Sequence, residues 1–250
     1  MIKTHLLSLL LATTLSLPGP ACAALIDRGG GLIYDTVLDV TWLADANYAR
    51  TSGVDADGKM SWTAANHWVS QLRIYDPVRN QFFDDWRMPH MEPRDVPRLP
   101  SNDGSTDLGY TNMSQLTELG YMYYVNLRNL GFCTPHGGGT SNLCIEQPGW
   151  GLVDGIEAND ESLFANLMAD KYWADTTGLS AVSAWYVDLG RGNQYITASS
   201  QLFYVWAVRD GDVVTTDPVA VPTPATLPLV ATAILAAYLL RRRKPAPPRH

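Results

Sequence analysis

The chain has 250 residues, of which 18 are basic, 25 are acidic and 46% are hydrophobic. Residues 1–23 carry one basic residue, residues 241–250 carry five, and neither segment carries an acid, so the region between them holds 12 basic and 25 acidic residues, a net charge of −13. Nucleic-acid binding requires clustered cations that replace phosphate counterions, so this charge excludes nucleic acid as a partner. The eight Trp and 12 Tyr exclude a disordered chain. The roughly 190 residues between the ends suit one domain.

The first 23 residues are organised like a secretory signal peptide. Lys3 and His5 precede an apolar run at residues 6–17, a Pro-Gly-Pro breaker, and a small-residue cleavage site at residues 21–24. We predict cleavage after Ala23 and therefore export. Two alternatives remain. Cys22 is a candidate for lipidation, although Gly19 stands where a lipobox has a large aliphatic residue, and an uncleaved anchor would need a longer apolar run.

The body begins with signals for a hairpin and a helix. Residues 32–34 and 40–43 are apolar and rich in β-formers, which predicts an N-terminal β-hairpin. Ser61 is predicted to cap a helix in which residues 65, 68, 69 and 72 share one inward face. That face includes Trp68.

A second amphipathic helix is predicted from Asn112 or Ser114 to Asn129, with Gly131 as its C′ residue. Apolar residues recur every three or four positions at Leu116, Leu119, Tyr123, Leu127 and Leu130. A third, shorter helix is predicted over residues 161–168.

After signal removal Cys133 and Cys144 are the remaining cysteines, with a Gly-rich stretch between them. In an exported chain this pair predicts one disulfide, which would stabilise the domain by roughly 3 kcal/mol. A redox or metal site that also uses His136 is the alternative.

The last third of the body has the pattern of antiparallel strands. Residues 184–189 and 194–198 flank a Gly-Arg-Gly-Asn turn, and residues 203–209 contain an apolar run that predicts a central strand covered on both faces. Helices that precede antiparallel strands predict an α+β fold with a mainly antiparallel sheet.

A linker and a short apolar segment close the chain. Residues 212–226 are rich in Pro and Thr, residues 227–240 are apolar, and residues 241–250 are basic. This order predicts a short transmembrane helix whose basic end stays in the cytoplasm. A Pro-containing motif, one apolar helix and an Arg cluster resemble the PEP-CTERM sorting signal of Gram-negative bacteria, although Thr223 stands where that signal has Glu. The matching residues are Val221, Pro222, Pro224, Arg241, Arg242 and Arg243.

The PEP-CTERM resemblance implies an exosortase-type enzyme as partner. That enzyme would remove the helix and release the body to the cell surface or matrix. A plain C-terminal anchor is the alternative.

Nine segments, in this order and spacing, resemble the Lcl C-terminal-like domain, a bacterial domain of unknown function named after a collagen-like adhesin. They are residues 34–43, 62–65, 85–89, 107–110, 114–116, 123–127, 172–176, 184–189 and 206–211. The resemblance covers residues 24–211 and implies a C-type-lectin-like fold without an established activity. We interpret its motif residues as structural pins of the fold. They are Asp85, Trp86, Arg87, Pro89, Trp173, Trp185 and Trp206.

Two acidic turns are weak candidates for Ca²⁺. Asp55 and Asp57 lie in one and Asp103 and Asp107 in the other, each beside a Gly. Neither completes an EF-hand loop, and solvated turns are the simpler interpretation. We therefore expect no obligatory cofactor.

Catalytic motifs are sparse, and we do not predict an enzyme. His67 is interpreted as a packed or partly exposed histidine. The leading hypothesis is an exported, non-enzymatic binding or adhesion module for an exopolysaccharide or another envelope component. The alternatives are an envelope enzyme that acts on glycans through carboxylates such as Asp84 and Asp85, or Asp154 and Glu157, and a structural matrix protein without a ligand.

Overall fold

The computed structural model describes residues 25–92, 100–102, 108–110, 117–134, 144–152 and 163–214. The chain divides into a unit of residues 1–213 and a second unit of residues 214–250, of which only Val214 is described. The predicted signal peptide, most of the linker, the sorting motif, the C-terminal helix and the basic tail lie outside the described residues. Within the described ranges, no helix is long and apolar enough to cross a membrane.

The described residues of the first unit form three sheets and a few short helices, which confirms the α+β class. The strands are β1 Leu25–Asp27, β2 Leu32–Asp35, β3 Val40–Leu43, β4 Lys59–Met60, β5 Ile74–Asp76, β6 Gln81–Phe83, β7 Gly109–Tyr110, β8 Lys171–Thr177, β9 Ser183–Asp188, β10 Asn193–Ala198, β11 Phe203–Tyr204 and β12 Val208–Asp210. The helices are α1 Tyr48–Thr51, α2 Trp62–Ser70 and α3 Glu118–Tyr121, which continues as a π-helix over Met122–Asn126.

The strands are ordered β1-β2-β3-β12 in one sheet, β4-β11-β8-β9-β10-β7 in a second, and β5-β6 in a third. β8 and β11 run parallel, whereas the other neighbours run antiparallel. The first and last strands that the structure describes, β1 and β12, therefore share one sheet.

The predicted hairpin is confirmed as β2 and β3, and an aspartate organises its turn. Asp35 is fully buried, and its Oδ1 accepts the backbone N–H groups of Val37 and Leu38 at 2.9 and 3.1 Å. Tyr34 donates its hydroxyl to Asp39 Oδ1 at 2.8 Å, and Asp39 has a left-handed φ of 53°. The side chains of Tyr34, Asp35 and Asp39 thus hydrogen-bond within the turn that joins β2 to β3.

The β5–β6 hairpin repeats the same turn. Asp76 Oδ1 accepts the N–H of Val78 at 2.8 Å, Tyr75 donates its hydroxyl to Asn80 Oδ1 at 2.7 Å, and Asn80 also has a φ of 53°. Both turns read Tyr-Asp-x-Val-x-Asp/Asn in the sequence. Asp and Asn tolerate left-handed backbone, so the last position of each turn fits its residue type.

The first predicted helix is confirmed as α2. The Ser61 hydroxyl accepts the N–H of Ala64 at 3.4 Å, as expected of an N-cap. Ala65 and Val69 are buried, so the helix packs on the core through these positions, and Leu72, two residues after the helix ends, is buried as well. Trp68 is half-buried and packs against the core cluster, so it faces inward in part, as predicted.

The second predicted helix is displaced in part. Thr117 is extended and bridges Met91, so the helix begins at Glu118, not at Asn112 or Ser114. It ends at Asn126, because Arg128 takes a left-handed φ of 55°. Gly131 is therefore not the C′ residue.

Gly131 has a packing role instead. A Cβ at this position would lie 2.7 Å from the Tyr124 hydroxyl oxygen and 2.9 Å from the Tyr110 ring, so the close approach of both tyrosines requires Gly. The neighbouring Leu130, predicted to face inward, is exposed.

The third predicted helix is wrong over its described part, residues 163–168. Ala165 instead bridges Asp45, and its N–H and C=O bond to Ala44 and Ala46 at 2.7 and 2.9 Å. Asn166 then takes a φ of 56°, which a helix does not allow. Backbone pairing with a distant segment has replaced local helical bonds.

The apolar run at residues 203–209 forms two strands instead of one central strand. β11 lies in the six-stranded sheet, β12 lies in the four-stranded sheet, and residues 205–207 cross between them. Every residue from Tyr204 to Val208 is buried. No polar residue interrupts residues 204–208 because the two sheets bury all of them. A single central strand would show the same apolar pattern, so periodicity does not distinguish the two arrangements.

Aromatic side chains fill the core at this crossing. Trp206 packs against Trp42 with ring centroids 4.7 Å apart and donates its indole N–H to Leu43 O at 2.7 Å. Trp173 donates to Met60 O at 2.8 Å, and Trp173, Trp185 and Trp206 are at most 1% exposed. Two of these three lie in strands, as predicted, but Trp206 lies between β11 and β12.

The folded unit reaches two residues beyond the predicted domain boundary at residue 211. Asp212 accepts both an Nε and an Nη2 bond from Arg28, and Val213 is 3% exposed. These contacts attach the start of the predicted linker to the residue that follows β1 and to the core.

Candidate ligand-binding site

The motif at residues 85–89 contributes a buried tryptophan to the core and pairs with β12, the last strand described. Trp86 is 4% exposed and donates its indole N–H to Phe83 O at 3.0 Å. The backbone of Arg87 pairs with Val208 in both directions, at 2.8 and 3.0 Å, which fixes this segment beside β12. The motif thus joins a loop to the end of the folded unit.

The Arg87 clamp, meaning Arg87 with Glu118 and Asp210, connects three distant segments. The two terminal nitrogens of Arg87 fork onto the two oxygens of Glu118 at 2.8 and 2.7 Å. Its Nε and Nη2 also donate to Asp210 Oδ1 at 2.9 and 2.6 Å. Burial alone would lower the pKa of Arg87, but the hydrogen bonds and charges of the two carboxylates outweigh it and raise that pKa. Every edge of the guanidinium is occupied by the protein.

A second ion pair occupies the other charged residue of the motif. Arg209 Nε and Nη2 donate to the two oxygens of Asp85 at 2.8 and 2.7 Å, and this bonding lowers the pKa of the Asp85 carboxyl. Asp85 is therefore committed to Arg209, while its neighbour Asp84 is exposed. Asp154 and Glu157 lie outside the described residues.

One pair that the sequence did not reveal is His90 with Asp175. His90 Nδ1 lies 2.8 Å from Asp175 Oδ2, and Asp175 Oδ1 accepts the N–H of Met91 and the hydroxyl of Thr176 at 3.1 and 2.8 Å. The carboxylate thus orients the imidazole and holds the loop against β8. Eighty-five residues separate the two partners, so only the fold brings them together.

The first Ca²⁺ candidate forms a hydrogen-bonded turn. Asp55 Oδ1 accepts the N–H groups of Asp57 and Gly58 at 3.0 and 2.8 Å, and Asp57 Oδ1 accepts that of Lys59 at 3.0 Å. The N–H of Asp57 is the largest cause of the lowered pKa of Asp55. Asp103 and Asp107 lie outside the described residues. In the ranges that the structure describes, no three His, Cys, Asp or Glu side chains are grouped to hold a metal.

The two cysteines of the body are joined. Cys133 and Cys144 form a disulfide with Cα atoms 4.9 Å apart, and Cys133 is buried. His136, the third member of the alternative metal site, lies outside the described residues.

A surface depression of about 550 Å³ lies where α1, α2 and the start of β5 meet. We call it the Trp68 depression. Its walls include Tyr48, Ser52, His67, Trp68, Gln71 and Arg73. α2 packs on the core through Ala65 and Val69, and the neighbouring His67 and Trp68 line the depression. A mixed wall of rings and hydrogen-bonding groups is the usual lining of a small-molecule site.

Arg73 links this depression to an exposed aromatic pair. Its guanidinium carbon lies 4.0 Å from the ring centroid of Phe82, and Phe82 packs against Tyr75 at 5.1 Å. Phe82 and Tyr75 are 51% and 46% exposed. The lining contains no Asp or Glu. His67, predicted from the sequence to be packed or partly exposed, is exposed. The sequence gave no signal that the side chains that line the depression would meet.

Comparisons with models of protein families, with curated proteins and with solved structures found no match.

Proposed function

We propose that this chain is an exported, surface- or matrix-delivered binding module that holds a glycan of the cell envelope in the Trp68 depression. The supporting observation is the lining itself, in which the Trp68 and Tyr48 rings stand beside amide, hydroxyl and imidazole groups. A sugar ring has an apolar face and a rim of hydroxyls, so an aromatic wall with polar neighbours complements both parts.

Delivery to the surface is the part of the proposal that rests on the sequence. The N-terminal segment has the features of a signal peptide, and the C-terminal segment has those of a sorting signal read by an exosortase-type enzyme. The disulfide between Cys133 and Cys144 fits an oxidising compartment.

A C-type-lectin-like relationship belongs to the same proposal. It is supported by the α+β class and by first and last strands that share a sheet. Fold kinship would not identify the ligand, so the proposal depends on the depression and not on the fold.

The test is a glycan array probed with the purified full-length chain in detergent, beside its Trp68→Ala and Trp150→Ala variants. We expect the parent to bind, and Trp68→Ala to lose at least about tenfold in affinity, equal to about 1.4 kcal/mol, because a sugar would lose its stacking surface. Trp150 is the matched control, since it is a half-buried Trp outside the depression lining.

Three results would contradict the proposal. A blank array for the parent would favour a structural matrix protein. Equal loss in both Trp variants would indicate a general effect on folding. Turnover of a bound glycan, seen by product analysis, would favour the enzyme.

A further inference from the structure

We infer that the Trp68 depression selects a sugar that carries a single carboxylate, such as one hexuronate residue in an otherwise neutral polysaccharide. This inference rests on the proposed function and adds the chemical class of the ligand. The supporting observation is Arg73, which places a positive charge in the lining of the depression although the body as a whole is acidic.

Arg73 differs from the cations that hold the fold together. Carboxylates lie within 4.0 Å of the charged groups of Arg28, Lys59, Arg79, Arg87, Lys171 and Arg209. Within the described part of the chain, no carboxylate lies within that distance of Arg73. Its charge is therefore available to a ligand in the depression that it lines.

The contact with Phe82 prepares this guanidinium for a carboxylate. A ring beneath one face of the guanidinium holds the group in place through cation–π attraction, and none of the described residues forms a hydrogen bond with its N–H groups. Two parallel N–H groups match the two oxygens of a carboxylate in a bidentate pair. Because the side chain is already held by the ring, less conformational entropy is lost on binding.

The remaining walls suit the rest of a sugar. The lining combines the aromatic side chains of Trp68 and Tyr48 with the polar side chains of Gln71, Ser52 and His67. A ligand with both a carboxylate and a hydroxylated ring would use the cation, the aromatic faces and the polar groups together.

The net charge of the body limits the ligand to few charges. The region between the two end segments carries −13, so a polyuronate would be repelled over a range set by the ionic strength. Arg73 is the one cation in the lining, so it compensates one carboxylate and leaves further charges unpaired. The structure therefore favours an isolated uronate over a dense polyanion.

The experiment measures the affinity of the full-length chain for three probes by isothermal titration calorimetry. The first is a disaccharide with one glucuronate, the second is the same disaccharide with its carboxyl reduced to an alcohol, and the third is an oligomer of uronates. We expect the parent to prefer the first over the second by about tenfold, the usual worth of a hydrogen bond to a charged group. The uronate oligomer should bind less tightly, per sugar, at low salt.

Three variants test the role of Arg73. In Arg73→Gln the ratio of the first two affinities should fall to about one, and in Arg73→Lys it should take an intermediate value because the charge stays but the fork is lost. Arg50→Gln is the matched control, since Arg50 is an exposed cation on α1 outside the lining. It should keep the ratio of the parent.

The inference is overturned if the parent binds both disaccharides equally or binds neither, or if Arg73→Gln keeps the preference. A parent that binds only neutral glycans on the array would leave the proposed function standing and remove this inference. A blank array would remove both.

Discussion

The Arg87 clamp and the Trp68 depression each contain an arginine close to a tryptophan, but the two arginines differ in what surrounds them. In the clamp, two carboxylates occupy the guanidinium, and a buried Trp lies beside it in the chain. In the depression, Arg73 is held by a ring, no carboxylate of the described residues pairs with it, and Trp68 is half-buried. The comparison teaches that prominence in the sequence does not decide availability: two carboxylates enclose Arg87 of the Trp-Arg motif, whereas the exposed Arg73 after α2 has no carboxylate within 4.0 Å among the described residues.

The sharpest way to break this comparison is to make the same substitution in both regions. Arg87→Gln should lower the free energy of unfolding by about 3 kcal/mol, because Glu118, whose side chain is 9% exposed, would lose its counter-charge in a buried site. Urea denaturation of the full chain measures this loss. Arg87→Lys should recover part of it, since the charge remains and the fork does not. A loss below about 1 kcal/mol would mean that the clamp does not hold the fold.

The second ion pair of the motif should have a smaller, pH-dependent effect. Asp85 is 52% exposed at its side chain, so Asp85→Asn should cost about 0.5 to 1 kcal/mol at neutral pH. Arg209 lowers the pKa of Asp85 below its ordinary value of 3.8. The ionised carboxylate therefore stabilises the fold above pH 3.8, and this contribution disappears as the pH falls through the lowered value.

The measurement is urea denaturation of the parent and of Asp85→Asn over a range of pH. The difference between them should be constant from neutral pH to about pH 5 and should shrink below the ordinary carboxyl pKa. Asp84→Asn, at the exposed neighbouring position, is the control and should change little. A difference that grows in acid would contradict the assigned pairing.

The smallest effect is expected at Arg73. Arg73→Gln should change the free energy of unfolding by less than about 0.5 kcal/mol, because an exposed cation–π contact contributes little to stability. The same urea series measures it beside Arg87→Gln. Equal losses at the two positions would remove the distinction between a structural and an available arginine. A near-neutral Arg73→Gln also makes its binding data interpretable.

Local signals in the sequence predicted several elements correctly. The hairpin of β2 and β3 and the Ser61-capped α2 depend on nearest neighbours, that is, on turn residues, a cap and apolar spacing. The antiparallel pair β9 and β10 was also predictable from its Gly-containing turn. Predictions failed where the backbone pairs with a segment far away in the chain. Ala165 bonds to residues 44 and 46, just after β3, and Thr117 bridges Met91.

The candidate site was less predictable than the fold. His67 and Trp68 were visible on a predicted helix, but their meeting with Tyr48 and Arg73 depends on how α1 and β5 pack beside α2. The pairing of His90 with Asp175 likewise spans 85 residues. No periodicity connects positions that the chain brings together only on folding.

The sequence by itself determined the charge of the body, the α+β class, the hairpin and the capped helix, because these follow from composition and short-range chemistry. Tertiary structure decided which arginine is enclosed and which is available, and it divided the run at residues 203–209 between two sheets. The physical reason is the same in both cases. Burial and pairing depend on neighbours from distant parts of the chain. The sequence around an arginine or an apolar strand does not show which of those neighbours will contact it.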